Sequence, residues 1–323
     1  MIQETIGRIC EVRRNGFLIL YEEREIPAKL KGSFREETAE RLPLVGDWVS
    51  FAYNDAGDSV VLSVCERKSL LRRPDQAKTG VMQNMVANVD YCFIVTSLNE
   101  DYSFNRIARY ASIALQGGAV PVAILTKADL CGEVEKYVRK TETISNKLRV
   151  HAVSAIDGTG LDELEQYFIP GKTICLMGSS GAGKSTLINT IAGEEIMQTG
   201  AVRSSDSTGK HTTTRRQLIV LKDGVSIIDT PGMREVGLAG ADEGIGDTFS
   251  DILALEERCR FRNCRHGTEP GCAVKAAIAS GELSRERFLL YQSLGRENAD
   301  NRVRKKEISK LAKAYKKNHA TKG

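Results

Sequence analysis

The run GSSGAGKS at residues 178–185 constrains the fold of this chain more than any other feature. It follows the apolar segment Thr173–Met177 and leads into a helix-like segment, which is the strand–loop–helix context of a phosphate-binding loop. Its glycines let backbone N–H groups surround a β-phosphate, Lys184 reaches the β- and γ-phosphates, and the Ser185 hydroxyl is a ligand for Mg²⁺. The candidate phosphate-binding residues are Gly178, Ser179, Ser180, Gly181, Ala182, Gly183, Lys184, Ser185 and Thr186.

A second nucleotide-binding pattern, Thr126-Lys127-Ala128-Asp129, precedes the phosphate loop instead of following it as in ordinary GTPases. The Asp129 carboxylate is placed to accept hydrogen bonds from N1 and N2 of guanine, a donor pair that adenine lacks. Lys127 would lie along the base plane, and Thr126 replaces the usual Asn. Because Lys127 lies 57 positions before Lys184, the nucleotide-binding elements are in circularly permuted order.

A short element after the next predicted strand completes the guanine site. Ser154 and Ala155 match the pair whose backbone N–H meets the guanine O6. Such a pair carries no information alone, and its position after Asp129 is what makes it a candidate.

Two segments are predicted to contact the γ-phosphate. The motif DTPG at Asp229–Gly232 ends an apolar strand, where Asp229 would hold Mg²⁺ through water and the Gly232 N–H would approach the γ-phosphate. The segment Gly209–Thr214 lies between this motif and the phosphate loop. One of its threonines is expected to close on Mg²⁺, with Thr213 as the candidate, although the residues alone do not decide which one. A Ser/Thr-rich surface loop is the alternative.

The residue after the DTPG motif is Met233, where small GTPases place a Gln that orients the attacking water. A thioether cannot orient water in this way. Either His211, another residue of its segment, or a binding partner must therefore complete the catalytic site.

Three thiols and one imidazole lie within residues 259–272, in the spacing Cys259-x₄-Cys264-x-His266-x₅-Cys272. They form a complete tetrahedral ligand set for one structural Zn²⁺. Arginines surround this cluster, where they would contact RNA or simply keep the loop soluble. They are Arg258, Arg260, Arg262 and Arg265. The other five cysteines, predicted to be small buried side chains, are Cys10, Cys65, Cys92, Cys131 and Cys175.

The hydrophobic pattern predicts a multidomain α/β protein with three parts. Residues 1–67 read as five short strands, which favour a small β-barrel of OB or SH3-like type. Residues 68–236 begin with a basic linker at Lys68–Gln83 and continue as strands alternating with helices, which indicates a doubly wound parallel sheet. Residues 237–323 are predicted to form a helical zinc-binding domain with a basic tail.

The charge distribution suggests a polyanionic partner. The formal net charge is only +4, yet the segment from Arg302 to the C-terminus has nine Lys or Arg residues and one acid, Glu307. This pattern is typical of a nucleic-acid-binding tail or of a solvated helix. No apolar run is long enough to span a bilayer, and the N-terminus does not resemble a signal peptide, so a cytoplasmic protein is expected.

In their order and spacing, these motifs resemble the circularly permuted, ribosome small-subunit-dependent GTPases of the RsgA type. The resemblance extends from the N-terminal strands to the Cys/His cluster. It implies an OB-type barrel and a cytoplasmic, monomeric GTPase that uses Mg²⁺ with GTP and binds the 30S subunit late in its maturation. It also implies contacts with 16S rRNA and stimulation of GTP hydrolysis by the subunit. The Thr126 substitution is one that the family accepts.

Two other functions are compatible with parts of the sequence. A P-loop ATPase or small-molecule kinase would require Thr126–Asp129 to be accidental. An RNA-binding scaffold would use its nucleotide only for structure. Competition between ATP and GTP tests the first alternative, and turnover in the presence of small subunits tests the second.

Overall fold

The first five strands form a closed barrel, and β4 pairs back onto β1 to complete it. The structure, a computed structural model, describes residues 4–32, 34, 41–74, 82–99, 101–197, 216–230, 242–296 and 298. The barrel strands are β1 (Glu4–Arg13), β2 (Gly16–Tyr21), β3 (Arg24–Leu30), β4 (Trp48–Ala52) and β5 (Ser59–Val64). Their order, β1-β2-β3-β5-β4, gives a five-stranded barrel of the OB type, which confirms that prediction over the SH3-like alternative.

Alternate residues of the barrel strands point inward, because successive side chains of a strand face opposite sides. The fully buried residues of this core are Ile9, Ile19, Val49, Phe51 and Val61. The five short strands predicted within residues 1–67 are therefore present, and their inward side chains form the core of the barrel.

The central sheet has the predicted doubly wound architecture. Its strands are β8 (Tyr91–Ser97), β9 (Val120–Thr126), β10 (Arg149–Ala152), β11 (Thr173–Met177), β12 (Gln217–Val220) and β13 (Ser226–Asp229). They follow the order β10-β9-β8-β11-β13-β12, with β12 antiparallel to β13 and the other pairs parallel. The connecting helices are α1 (Phe104–Gln116), α2 (Val134–Glu142) and α3 (Lys184–Ala192).

Both faces of this sheet are buried, so its central strands carry apolar residues on both sides rather than at every second position only. On β8, Cys92 and Ile94 face one core and Phe93 and Val95 face the other. Helix α1 packs on the first of these faces. Its apolar residues Phe104, Ile107, Ala108 and Ala111 follow the helical period i, i+3, i+4, i+7 and are all at most 8% exposed.

The predicted basic linker at Lys68–Gln83 is wrong, because most of its described residues belong to a hairpin. Strands β6 (Leu70–Pro74) and β7 (Met82–Ala87) pair antiparallel. Leu71 is fully buried, while the neighbouring Arg72 is exposed. The two adjacent arginines hide the alternating pattern, and the strand is stabilised by packing that only the tertiary structure supplies.

Strand β1 joins the barrel to the central sheet. Glu11 of β1 pairs with Gln217 of β12, so the two sheets form one continuous sheet of eleven strands. The register of β1 against β2 shifts between Ile9 and Glu11, after the part of β1 that pairs with β4 and at the residue that pairs with β12.

The C-terminal region is helical, as predicted. Its elements are α4 (Asp242–Thr248), α5 (Ser250–Glu257), α6 (Ala273–Ser280) and α7 (residues 285–296). Buried Arg287 of α7 pairs with Asp251 at 2.6 Å and donates to the backbone carbonyls of Thr143 and Ile144, which attaches these helices to the segment after α2. The basic tail from Arg302 onward lies outside the described residues.

None of the helices described is both long and apolar enough to cross a membrane. Of the five cysteines predicted to be buried, Cys10, Cys92 and Cys175 are buried, whereas Cys65 and Cys131 are only partly covered. The last two lie just after β5 and after a short 3-10 turn, where the chain reaches the surface.

Candidate functional site

The phosphate loop connects β11 to α3 in the predicted context. Gly178 has φ +150°, and a Cβ there would lie 2.2 Å from the Val95 carbonyl oxygen, so only glycine fits. Gly183 also has positive φ, at +91°, directly before the N-terminus of α3. The Lys184 ammonium donates to the carbonyls of Gly178 at 3.0 Å and Ser179 at 2.7 Å. The loop therefore has the turns and the charged group that hold a polyphosphate.

Asp229 ends β13, the strand paired with β11, and this pairing brings it next to the phosphate loop. Its Oδ1 is buried and has no hydrogen-bond partner among the described residues. Burial raises the pKa of this carboxyl, while the Lys184 ammonium and the Thr230 N–H partly oppose the shift. A buried, unpaired carboxylate oxygen beside a phosphate loop fits the oxygen ligand that Mg²⁺ or its water requires. The Thr230 hydroxyl fixes the strand end by donating to the Leu176 carbonyl at 2.5 Å.

The predicted guanine element, Thr126–Asp129, is joined to the phosphate loop by a hydrogen bond. The Thr126 hydroxyl at the end of β9 donates to the Ala182 carbonyl at 2.6 Å. Thr126 is 5% exposed, so this bond is shielded from solvent. Lys127 then adopts φ +59°, which turns the chain toward the exposed Asp129. The substituted threonine therefore still contacts the phosphate loop.

The Ser154-Ala155 element lies beside the guanine element. The Ala128 N–H donates to the Val153 carbonyl at 3.1 Å, which joins the two segments. The buried Ser154 hydroxyl accepts from the N–H groups of Ile156 at 3.2 Å and Asp157 at 3.3 Å. The structure thus brings together the phosphate loop, Thr126–Asp129, Ser154-Ala155 and Asp229. The candidates His211, Thr213 and Gly232, like Met233, lie outside the described residues.

The four predicted metal ligands converge. One ligand atom from each of Cys259, Cys264, His266 and Cys272 lies within 4.8 Å of the others. His266 Nδ1 is 3.4 Å from the Cys272 sulfur and 3.7 Å from the Cys259 sulfur. Three thiols and an imidazole are the donor set of a closed structural zinc site, so the residues fit Zn²⁺.

Comparison with known proteins shows which family this chain is related to. A family model described as RsgA GTPase matches residues 64–239, more than half of the chain. The chain is 42% identical over 296 residues to the small ribosomal subunit biogenesis GTPase RsgA 2 of Listeria monocytogenes, covering 91% of this chain and 84% of that protein. The chain belongs to the RsgA GTPase family. It is accordingly a GTP hydrolase.

A further curated protein and two solved structures are also similar to this chain. A Vibrio vulnificus protein, also named small ribosomal subunit biogenesis GTPase RsgA 2, is 43% identical over 274 residues, covering 83% of this chain and 77% of that protein. The crystal structure of YjeQ from Thermotoga maritima matches with a TM-score of 0.68 and 28% identity over 92% of this chain and 99% of that one. YloQ, described as a circularly permuted GTPase, matches with a TM-score of 0.64 and 25% identity, covering 92% of this chain and 96% of its own.

An ABC transporter family model also matches, over residues 161–318. This span covers less than half of the chain. It includes the phosphate loop but omits Thr126–Asp129 and Ser154-Ala155, the predicted guanine-binding elements. The RsgA match includes all three elements and is the one consistent with the permuted order.

Two side chains that contact these sites were not predicted from sequence. Asp101 accepts a hydrogen bond from Ser179 of the phosphate loop, and Glu256 lies 3.0 Å from Nε2 of His266, a candidate metal ligand. No sequence motif marks Asp101. Glu256 is one of two adjacent acids on α5, and only its proximity to Cys259 in sequence could have suggested it.

Proposed function

We propose that this chain binds GTP with Mg²⁺ at the described site, binds the small (30S) ribosomal subunit, and assists late maturation of that subunit. The observation that carries the proposal is the Thr126–Ala182 hydrogen bond, which joins a guanine element to a phosphate loop that follows it in sequence. Relatives that are 42% and 43% identical are named small ribosomal subunit biogenesis GTPases.

In the proposed mechanism, water attacks the γ-phosphate in line with the bond to the β–γ bridging oxygen, and no covalent intermediate forms. Lys184 and the loop N–H groups stabilise the charge that develops on the phosphate oxygens. Ser185 and Asp229 would hold Mg²⁺, which neutralises phosphate charge when it is bound. The orphaned Oδ1 of Asp229 supports this role.

Guanine recognition is assigned to the other side of the site. Asp129 would accept from the guanine N1 and N2 groups, and Lys127 would lie along the base. The Ser154-Ala155 backbone would meet O6. The roles of Thr213 in binding Mg²⁺, of Gly232 at the γ-phosphate and of His211 in water positioning remain hypotheses based on sequence.

The proposed contact with 16S rRNA is supported by the surface around the Cys/His cluster. Its four arginines are all exposed, and the Arg260 guanidinium lies 5.5 Å from the ring of exposed Phe261. Guanidinium groups pair with phosphates, and exposed aromatic rings stack on unpaired bases. The arginines are Arg258, Arg260, Arg262 and Arg265. We further propose that the protein acts as a cytoplasmic monomer with domains at residues 1–67, 68–236 and 237–323 and one structural Zn²⁺.

The decisive experiment measures GTP hydrolysis by the full chain alone, with purified 30S particles, and with 50S particles. Because Met233 replaces the water-orienting Gln, we expect the protein by itself to hydrolyse GTP slowly. We expect 30S particles to stimulate hydrolysis strongly and 50S particles to have no effect. Stimulation should decrease as salt is added, since rRNA is polyanionic. His211→Ala should reduce stimulated turnover more than GTP binding. Equal turnover with and without 30S particles over a range of salt would refute the proposal and favour a self-contained NTPase.

Nucleotide competition tests the base assignment separately. GTP should displace a bound guanine nucleotide, and ATP should not. Asp129→Asn should weaken GTP binding and favour xanthine nucleotides, because an amide complements the xanthine edge. Unchanged GTP affinity in this variant would disprove the role of Asp129, and effective competition by ATP would favour a P-loop ATPase.

A further inference from the structure

A carboxylate outside the nucleotide-binding motifs contacts the phosphate loop. Asp101 lies between β8 and α1, two positions before the helix N-cap Ser103. Its Oδ2 accepts a hydrogen bond from the hydroxyl of Ser179, the second residue of the loop. Ser179 is only 7% exposed, so water competes little for this bond.

Arg106 holds the same carboxylate from the first turn of α1. Its guanidinium lies 2.9 Å from Asp101 Oδ1 and also donates to the Asp101 backbone carbonyl. An unpaired carboxylate this close to the loop would repel a polyphosphate. The ion pair neutralises that charge, so Asp101 acts beside the loop as an acceptor with a compensated charge.

Ser179 in turn holds the lysine of the loop. Its carbonyl accepts from Lys184 Nζ at 2.7 Å, next to the Gly178 carbonyl at 3.0 Å. An ion pair and hydrogen bonds therefore connect four residues in the order Arg106, Asp101, Ser179 and Lys184. A change at Asp101 reaches the Lys184 ammonium through one intervening residue.

Side-chain hydrogen bonds fix the position of the segment that contains Asp101. The Asn99 side-chain oxygen accepts from the Ser97 hydroxyl at 2.8 Å and from the Asp101 N–H at 3.3 Å. The Thr96 hydroxyl donates to the Asp101 carbonyl at 3.2 Å. Asp101 is thus fixed relative to the end of β8, and it can fix the phosphate loop in turn.

We propose that Asp101 is a positioning residue for GTP hydrolysis. Through Ser179 it holds the phosphate loop in the conformation that aims the Lys184 ammonium at the β- and γ-phosphates. The inference rests on the role proposed above for Lys184. Because charge on the bridging oxygen grows in the transition state, misplacing this ammonium lowers kcat more than it weakens nucleotide binding.

The test compares variants of the full chain under saturating GTP, with small ribosomal subunits present. Asp101→Ala should lower kcat about tenfold while the Kd for GDP changes about twofold or less. Asp101→Asn keeps a single acceptor oxygen and should give an intermediate kcat. Ser179→Ala should reproduce the loss, and the double variant should be no slower than either single variant, because the two residues act through one contact.

Two further variants make each outcome decisive. Asp58→Ala, which removes a carboxylate paired with Lys29 on the barrel, should leave kcat unchanged. Lys184→Ala tests the underlying function: normal turnover in that variant would disprove the role of Lys184 itself. If Lys184→Ala is inactive but Asp101→Ala turns over normally, or if the Asp101 and Ser179 losses multiply, the role of Asp101 is disproved. Should Asp101→Ala fail to fold, full kcat in Ser179→Ala would equally overturn the proposal.

Discussion

The Arg8 guanidinium, on barrel strand β1, donates a hydrogen bond to the Thr173 hydroxyl at the start of β11, at 2.7 Å. It also donates to the Ser226 hydroxyl at 3.1 Å and to the carbonyls of Gly46 and Asn88. Burial lowers the pKa of Arg8 to about 10, and the negative charges of nearby carboxylates partly oppose this shift. One buried cation of the barrel therefore holds the two strands that lead into the phosphate loop and the candidate Mg²⁺ ligand.

Arg8→Leu should lower the free energy of unfolding by about 3 kcal/mol, because it leaves several buried acceptors without a donor. Urea denaturation of the full chain measures this. Arg24→Leu, at an exposed arginine of β3, is the matched control and should have little effect. A loss as small as the control's would mean that strand pairing alone attaches the barrel.

Thr126→Val should weaken GDP binding about tenfold, because an isosteric side chain leaves the Ala182 carbonyl without its donor. Thr126→Asn supplies a donor again and should restore most of the affinity. Titration with a fluorescent GDP analogue measures both variants, and Thr143→Val, at an exposed position, is the control. If Thr126→Val binds GDP normally, the link between the guanine element and the phosphate loop is not needed for binding.

Asp229→Asn should stabilise the nucleotide-free protein at pH 7 by about 1–2 kcal/mol while weakening Mg²⁺-dependent GTP binding. The pKa of Asp229 is raised by burial, so the folded state binds this proton more tightly than the unfolded state does. The wild-type protein therefore loses stability relative to the variant as pH rises through that raised pKa. Denaturation between pH 4 and 7 measures the difference, which should shrink toward low pH.

The control for that experiment is Asp55→Asn, which changes an exposed turn residue. A variant less stable than the wild type at pH 7 would show that the Asp229 carboxylate is satisfied in the nucleotide-free protein.

Glu256→Ala should weaken zinc binding roughly 10–100-fold, because carboxylates that orient a ligand histidine have effects of this size. Glu256 Oε1 lies 3.0 Å from His266 Nε2, on the side of the ring away from the Nδ1 atom that faces the thiols. Competition with a chromophoric chelator measures the affinity. Glu257→Ala removes the exposed neighbouring acid and is the matched control. Equal zinc affinity in both variants would mean that packing alone orients His266.

The elements that can be located from sequence are those whose signal is local. The phosphate loop, Thr126–Asp129 and the Cys/His cluster each lie in a short segment with fixed spacing. The stripe on α1 repeats with the helical period, and the barrel strands alternate. Each pattern depends on backbone geometry within a few residues, so one sequence suffices to find it.

The failures arise where distant segments decide the outcome. The hairpin β6–β7 has few alternating residues, so its sequence favours a linker. Asp101 acquires its role only because α1 and the phosphate loop meet at the end of β8. Glu256 is distinguished from Glu257 only by which side of α5 faces His266. No local pattern contains this information, because it depends on the packing of elements far apart in the chain.

The pairing of Glu11 with Gln217 has a consequence for how this protein can be dissected. Gln217 is paired on its other side with Asp229. Backbone pairing across three neighbouring strands therefore connects Glu11 of the barrel to the candidate Mg²⁺ ligand. A truncation at residue 67 would turn β12 into an unprotected sheet edge, which is a template for self-association. The barrel therefore covers the edge of the central sheet. Loss of function in such a truncated protein would have two explanations, aggregation or a missing ribosome contact.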